Sequence, residues 1–71
     1  MVDNLEELAE LLMRRDSISR NEADEIILYT KQEIVNAIDE SEPFETLEDI
    51  ISYNLGLEPD YLDLFLNELY F

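Results

Sequence analysis

The stretch SRNEADEIILYTKQEIVNAIDE, residues 19–40, decides the fold. Ser19 followed by Glu22 is a capping box: the hydroxyl accepts a free N–H of the first helical turn, and the glutamate reaches back to the cap's own N–H. Ile18 stands where it would staple against Ala23. From there no Gly or Pro interrupts the chain up to Asp39, and Ala23, Ile26, Ile27, Thr30, Ile34, Ala37 and Ile38 recur at helical spacing. The spacing predicts one long helix over residues 20–40, ended by Ser41-Glu42-Pro43 because proline disfavours helical geometry before it and donates nothing to the ladder.

Working outward, the chain on either side reads as shorter helices. Towards the N-terminus, Leu5, Leu8, Ala9, Leu11, Leu12 and Met13 fall on one side of a helix over about residues 3–15, with Asp3, Glu6, Glu7 and Glu10 on the other. Asp3 with Glu6 reads as its cap, and Arg14 sits four residues after Glu10, near the negative end of the macrodipole. Beyond the proline, Phe44 is expected to anchor the loop and Thr46 to cap a third helix over residues 46–55 with Leu47, Ile50, Ile51 and Leu55 on its apolar face. Gly56 is placed to end that helix in the left-handed conformation. Pro59 then opens a fourth helix over residues 59–69, where its missing N–H costs nothing, with Tyr61, Leu62, Phe65, Leu66 and Leu69 facing inward. There are no hairpin turns, alternating strands, repeats or linkers. The expected fold is an all-α compact bundle of four helices forming a single domain over residues 1–71.

Composition narrows the chemistry. The chain is 46% apolar with one Gly and two Pro, too apolar and too poor in breakers for a disordered tail. At 71 residues it buries only about 60% of its unfolded surface, leaving little room for a deep catalytic cavity beside the core. Without Cys or His it lacks thiol nucleophiles, disulfides, imidazole bases and the usual zinc and copper ligands. Acid/base catalysis by paired carboxylates needs one of them in an apolar pocket, whereas nearly every acid here maps to a polar helix face. The loop Asp39-Glu40-Ser41-Glu42-Pro43-Phe44 has Pro and Phe where an EF-hand requires a ligand and a Gly. No enzyme, cofactor or metal site is expected. The absence of long apolar runs and of a basic leader points to a soluble cytoplasmic protein.

Charge is the most specific feature. Nineteen Asp and Glu against four Lys and Arg give a formal charge of −15, a field that repels nucleic acid and anionic lipid and attracts basic surfaces. Arg14, Arg15, Arg20 and Lys31 all lie in the first 31 residues, so from Gln32 onward eleven acids have no cation in their own segment. Two mechanisms use such a surface. Acids at i, i+3 and i+4 on a helix rise about 4.5 to 6 Å apart, the scale of phosphate spacing, so Glu45, Glu48, Asp49, Asp60 and Asp63 are candidate phosphate surrogates for a protein with a basic nucleic-acid channel. Alternatively the acids only keep a helical binding module dissolved, and affinity comes from Leu28, Val35, Leu64 and Phe71, which fall off the core stripes, with Tyr53 and Tyr70. Tyr29, between Glu25 and Glu33 on the polar side of the long helix, is a further candidate contact. The expected function is non-enzymatic binding to a protein partner with a basic surface, the alternatives being a DNA mimic and a small homodimeric structural protein.

The run Arg14-Arg15-Asp16-Ser17-Ile18-Ser19 with Glu22-Ala23, followed by Leu55-Gly56-Leu57-Glu58-Pro59-Asp60-Tyr61, resembles short acidic proteins encoded by bacteriophages and prophages of low-GC Gram-positive bacteria. The likeness covers most of the chain, and Ser17 stands where a glycine is expected, a departure that concerns the turn. The resemblance implies a phage setting and the host cytoplasm rather than a mechanism. Small acidic phage proteins that imitate DNA inhibit restriction or CRISPR enzymes, so the resemblance adds to the phosphate-surrogate reading. The turn at Ile18-Ser19 with Glu22-Ala23 is also similar to ubiquitin-associated three-helix modules, which are shorter and carry a glycine loop that this chain lacks.

Overall fold

The computed structural model describes residues 2–70. Among them the chain forms helices α1 (Leu5–Asp16), α2 (Arg20–Asp39), α3 (Phe44–Leu55) and α4 (Leu62–Tyr70), the last preceded by a 3₁₀ turn over Pro59–Tyr61, and no strand. The all-α four-helix bundle expected from the sequence is therefore the fold. The 20 residues of α2 span about 30 Å at 1.5 Å per residue, which sets the longest dimension of 34 Å. The radius of gyration, 11.6 Å, is close to the roughly 11 Å of a compact chain of this length.

α2 is the keel. It packs against both α1 and α3, and α4 closes the bundle against α1 and α3. Leu8, Ala9 and Leu12 of α1 meet the α2 stripe of Ala23, Ile27, Ile34 and Ala37, while α3 contributes Leu47, Ile51 and Leu55. Leu62 and the fully buried Phe65 of α4 complete the core. Burying each of these larger side chains stabilises the fold by about 1.5–3 kcal/mol, against a backbone entropy cost of about 1–2 kcal/mol per residue.

The helix ends show where local chemistry departs from the sequence reading. α2 begins with the expected capping box: Glu22 N–H donates to Ser19 Oγ at 3.1 Å, and Ser19 N–H donates to Glu22 Oε1 at 3.2 Å. α1 is capped by Asn4, not Asp3; its side chain accepts from Glu7 N–H at 2.8 Å, while Asp3 N–H donates to the Glu7 carboxylate at 3.0 Å. Asn and Asp cap equally well, and the frame starting at Asn4 places a carboxylate three residues on to take the neighbouring N–H. α3 starts at Phe44, two residues before the expected cap, led in by extended Pro43, and Thr46 sits within its first turn. Phe44 is 57% exposed and does not anchor the loop. The fourth helix opens as a 3₁₀ turn and becomes α-helical only at Leu62.

α2 ends before the proline acts. Ser41 N–H donates to Ile38 O and Glu42 N–H to Ala37 O, at 3.0 and 2.9 Å, with Ser41 at φ 57°. This is a Schellman ending with serine in the left-handed position usually given to glycine. α1 ends the same way in part, at Ser17 with φ 55°, and only α3 has a glycine there, Gly56 at φ 65°. Arg15 reaches across to donate to Gly56 O at 3.4 Å, so the C-terminus of α3, which has no cation of its own, receives one from α1.

A left-handed serine costs about 1–2 kcal/mol, and a glycine in its place gives back about 0.5–1 kcal/mol through its freer unfolded chain. Ser17→Gly is therefore expected to raise stability by about 0.5–1 kcal/mol in urea denaturation; an unchanged or lower midpoint would show that the turn is not strained.

Candidate interaction surface

The five acids singled out from the sequence come from two elements, the start of α3 and the turn into α4. Glu45, Glu48 and Asp49 share the first turns of α3, with Glu48 half-buried and the other two exposed. Asp60 and Asp63 are exposed and border, with Val2, Glu58, Tyr61 and Leu64, a shallow depression of about 320 Å³. The apolar candidates come from α2 and α4. Leu28, 54% exposed, and half-buried Val35 line a groove of about 450 Å³ along α2 with Lys31, Gln32 and Asn36. Leu64 is half-buried against the core, and Phe71 lies outside the described residues. Tyr53 at 87% and Tyr70 at 54% are exposed.

Where α2 meets α3 the structure shows an arrangement that the sequence did not reveal. Thr30, completely buried, donates its hydroxyl proton to Ile26 O at 2.8 Å and accepts from Asn54 Nδ2 at 3.3 Å. The same amide nitrogen donates to Glu33 Oε1. Both hydrogens of one side-chain amide are thus spent on α2, and no buried side-chain polar atom among the described residues is left without a partner. Helical periodicity counted Thr30 with the apolar stripe, and a single Asn on α3 carries no signal of its partner 24 residues away.

Two clefts lie along this seam. One, of about 390 Å³, is lined by Glu22, Glu25, Ile26 and Tyr29 of α2 and by Asn54 of α3. The other, of about 360 Å³, is lined by Glu33, Asn36, Ala37 and Glu40 and, from the α3 side, by Glu42, Thr46 and Ile50. Glu33 lines one and Asn54 the other, so their hydrogen bond marks the division between them. Tyr29, 59% exposed, stands on the polar side of α2 as its position in the sequence implied.

Three of the four cations have carboxylate partners. Arg15 pairs with Asp16 at 2.8 Å; their hydrogen bond lowers the Asp16 carboxyl below its ordinary range and raises the Arg15 guanidinium. Arg20 donates to Asp24 at 3.0 Å, which raises its own value, and approaches Glu6 at 3.7 Å. Lys31 reaches Glu68 of α4 at 3.9 Å. Arg14 is exposed, with no carboxylate in ion-pairing range among the described residues, so the expected pair with Glu10 is not formed. Of the eleven acids after Gln32, Glu33 has Asn54 and Glu68 has Lys31. The other nine, from Asp39 to Asp63, have no cationic partner among the described residues. No group of three or more His, Cys, Asp or Glu among the described residues is arranged to hold a metal ion, and none of their helices is long and apolar enough to cross a membrane.

These features define a small all-α bundle with a strongly anionic, largely unpaired exterior. Comparison with protein-family models, with curated proteins and with solved structures finds no match.

Two outcomes follow. Asn54→Ala removes both bonds across the α2–α3 seam, one of them to a charged acceptor, and is expected to cost about 1–2 kcal/mol in urea denaturation; a loss within error would show that solvent replaces the amide freely. The exposed ion pairs contribute about 0–1 kcal/mol each, too little to outweigh the repulsion of the unpaired acids. Raising NaCl from about 0.01 to about 1 M, which shortens the Debye length from about 30 to about 3 Å, should therefore raise the melting temperature, and a fall would mean that the ion pairs dominate.

Proposed function

We propose that this chain is a non-enzymatic binding module of phage or prophage type that engages a basic surface of a protein partner through its rigid anionic exterior. The observation that carries this reading is the set of ten carboxylates after Gln32 that have no cation in range among the described residues, held on a folded helical frame. Clustered like charges destabilise a small fold, and an opposite surface relieves them on contact. The phage setting is supported by the sequence resemblance around Arg14–Ala23 and Leu55–Tyr61.

A second reading, the DNA mimic, is favoured by the spacing of Glu45, Glu48 and Asp49: the second and third rise about 4.5 and about 6 Å from the first along one helix, the length scale of a phosphate backbone. The two readings differ in what competes. Duplex DNA displaces a mimic from its target and leaves a binder of another basic surface in place.

The test begins with capture of partners from a low-GC Gram-positive host and continues with the purified pair. Affinity should fall at least about tenfold between about 0.05 and about 0.5 M salt, and the combined neutralisation of Glu45, Glu48, Asp49, Asp60 and Asp63 to their amides should weaken it comparably without loss of helicity. Affinity indifferent to both salt and neutralisation, with loss on Leu28→Asp instead, would replace this reading with an apolar contact. Turnover of a substrate by the purified chain would end it.

A further inference from the structure

Resting on that reading, we infer that the cleft between α2 and α3 lined by Glu22, Glu25, Ile26, Tyr29 and Asn54 is an anchoring subsite for an arginine side chain of the basic partner. The lining is largely apolar, and the polar groups that Glu22, Glu25 and Asn54 have to offer are acceptors. Glu22 commits Oε1 to the Ser19 N–H and keeps its second oxygen, and Glu25 has no hydrogen bond or ion pair among the described residues. Asn54 has given its amide hydrogens to Thr30 and Glu33, which leaves Oδ1 as its remaining polar group. Ile26 is half-buried and supplies apolar surface, and Tyr29 presents a ring that is 59% exposed.

Such a lining selects for a cation with several donors and an apolar stem. The three-carbon stem of arginine covers Ile26, while the guanidinium stacks on the Tyr29 ring and still donates from its edge to carboxylates. A lysine ammonium is compact and strongly hydrated, and gives up more water to enter the same space without matching the ring. The volume, about 390 Å³, takes the arginine together with part of its neighbours. The site is also held in shape before binding: the capping box fixes Glu22, and the Thr30–Asn54–Glu33 bonds fix the opposite wall. The Leu28–Val35 groove is different, because Lys31 lines it and repels a cation. The overall charge of −15 brings a basic segment to the surface, and the cleft determines which side chain enters.

The probe is a short amphipathic helical peptide bearing arginines, compared with the same peptide carrying lysines, titrated into the isotopically labelled full chain. Amide shifts should concentrate at residues 22–29 and around Asn54, with the arginine peptide binding about five to tenfold more tightly. Tyr29→Leu keeps apolar bulk and should abolish that preference, and Glu25→Gln should weaken both peptides with the larger loss for arginine. Asp60→Asn with Asp63→Asn should weaken both equally and leave the preference intact. Equal affinity of the two peptides, shifts centred elsewhere, or a preference that survives Tyr29→Leu would overturn the subsite. In those cases binding that still falls with salt leaves the anionic-surface reading standing. Absence of binding by either peptide at low salt overturns the subsite, and salt-insensitive binding of the captured partner overturns the broader reading separately.

Discussion

The structure depends on the burial of one stripe of α2 against two neighbours at once. Ala23, Ile27, Thr30, Ile34 and Ala37 follow one another at intervals of three or four residues, and all of them are buried. Small residues, Ala23 and Ala37, stand at the two ends of the stripe, and the larger Ile27 and Ile34 fill the middle. α4 never becomes a partner of α2 to the same degree; it packs on α1 and α3, which brings Phe65 into the core and leaves Lys31 to bridge across to Glu68. The outer side of α2 therefore stays open over most of its length, which is why Leu28, Tyr29 and Val35 line surface grooves rather than a fourth-helix contact.

Within that apolar stripe Thr30 is the exception, and its placement fixes how α2 and α3 lie against each other. A valine would fill the same space, but it offers nothing to Asn54. Apolar contacts tolerate sliding by fractions of a turn, whereas an amide that must reach Thr30 and Glu33 together is satisfied at one register. The same bonds divide the seam into its two clefts, so the element that sets helix register also shapes the surface on either side of it.

The four helices, the capping box at Ser19 and Glu22, and the glycine ending at Gly56 were legible in the sequence, because each rests on contacts within about four residues of chain. The ending at Ser41 was harder, since a serine in the left-handed region has no local preference to announce it and the nearby Pro43 suggested a different cause for the same boundary, whereas at Ser17 the resemblance had already marked a glycine position. Asn4 displaced Asp3 as a cap because two equally good caps stood side by side and only the frame of the buried leucines separates them. The candidate surface was less legible still. Counting charges located the excess of acid correctly after Gln32, but whether Asp60 and Asp63 join Glu45 and Asp49 depends on the path of the chain through Gly56 and Pro59. The cleft between Tyr29 and Asn54 joins residues at least twenty-five positions apart, beyond the reach of any spacing rule.

Charge and stability are linked in a way that bears on the proposed role. Folding gathers a net charge of −15 into a body with a radius of gyration of 11.6 Å, whereas an unfolded chain of this length spreads it over a radius of about 26 Å. Repulsion therefore weighs more on the folded state than on the unfolded one, and a core of this size has limited stability to oppose it. A ligand that binds only the folded form adds stability by mass action, and one that also brings positive charge removes part of the repulsion as it binds. Under the proposed binding role, the acids that weaken the free chain are the same groups that make its complex favourable. The cation-free segment after Gln32 is then a constraint set by the complex, with the α2 stripe holding the chain together until that complex forms.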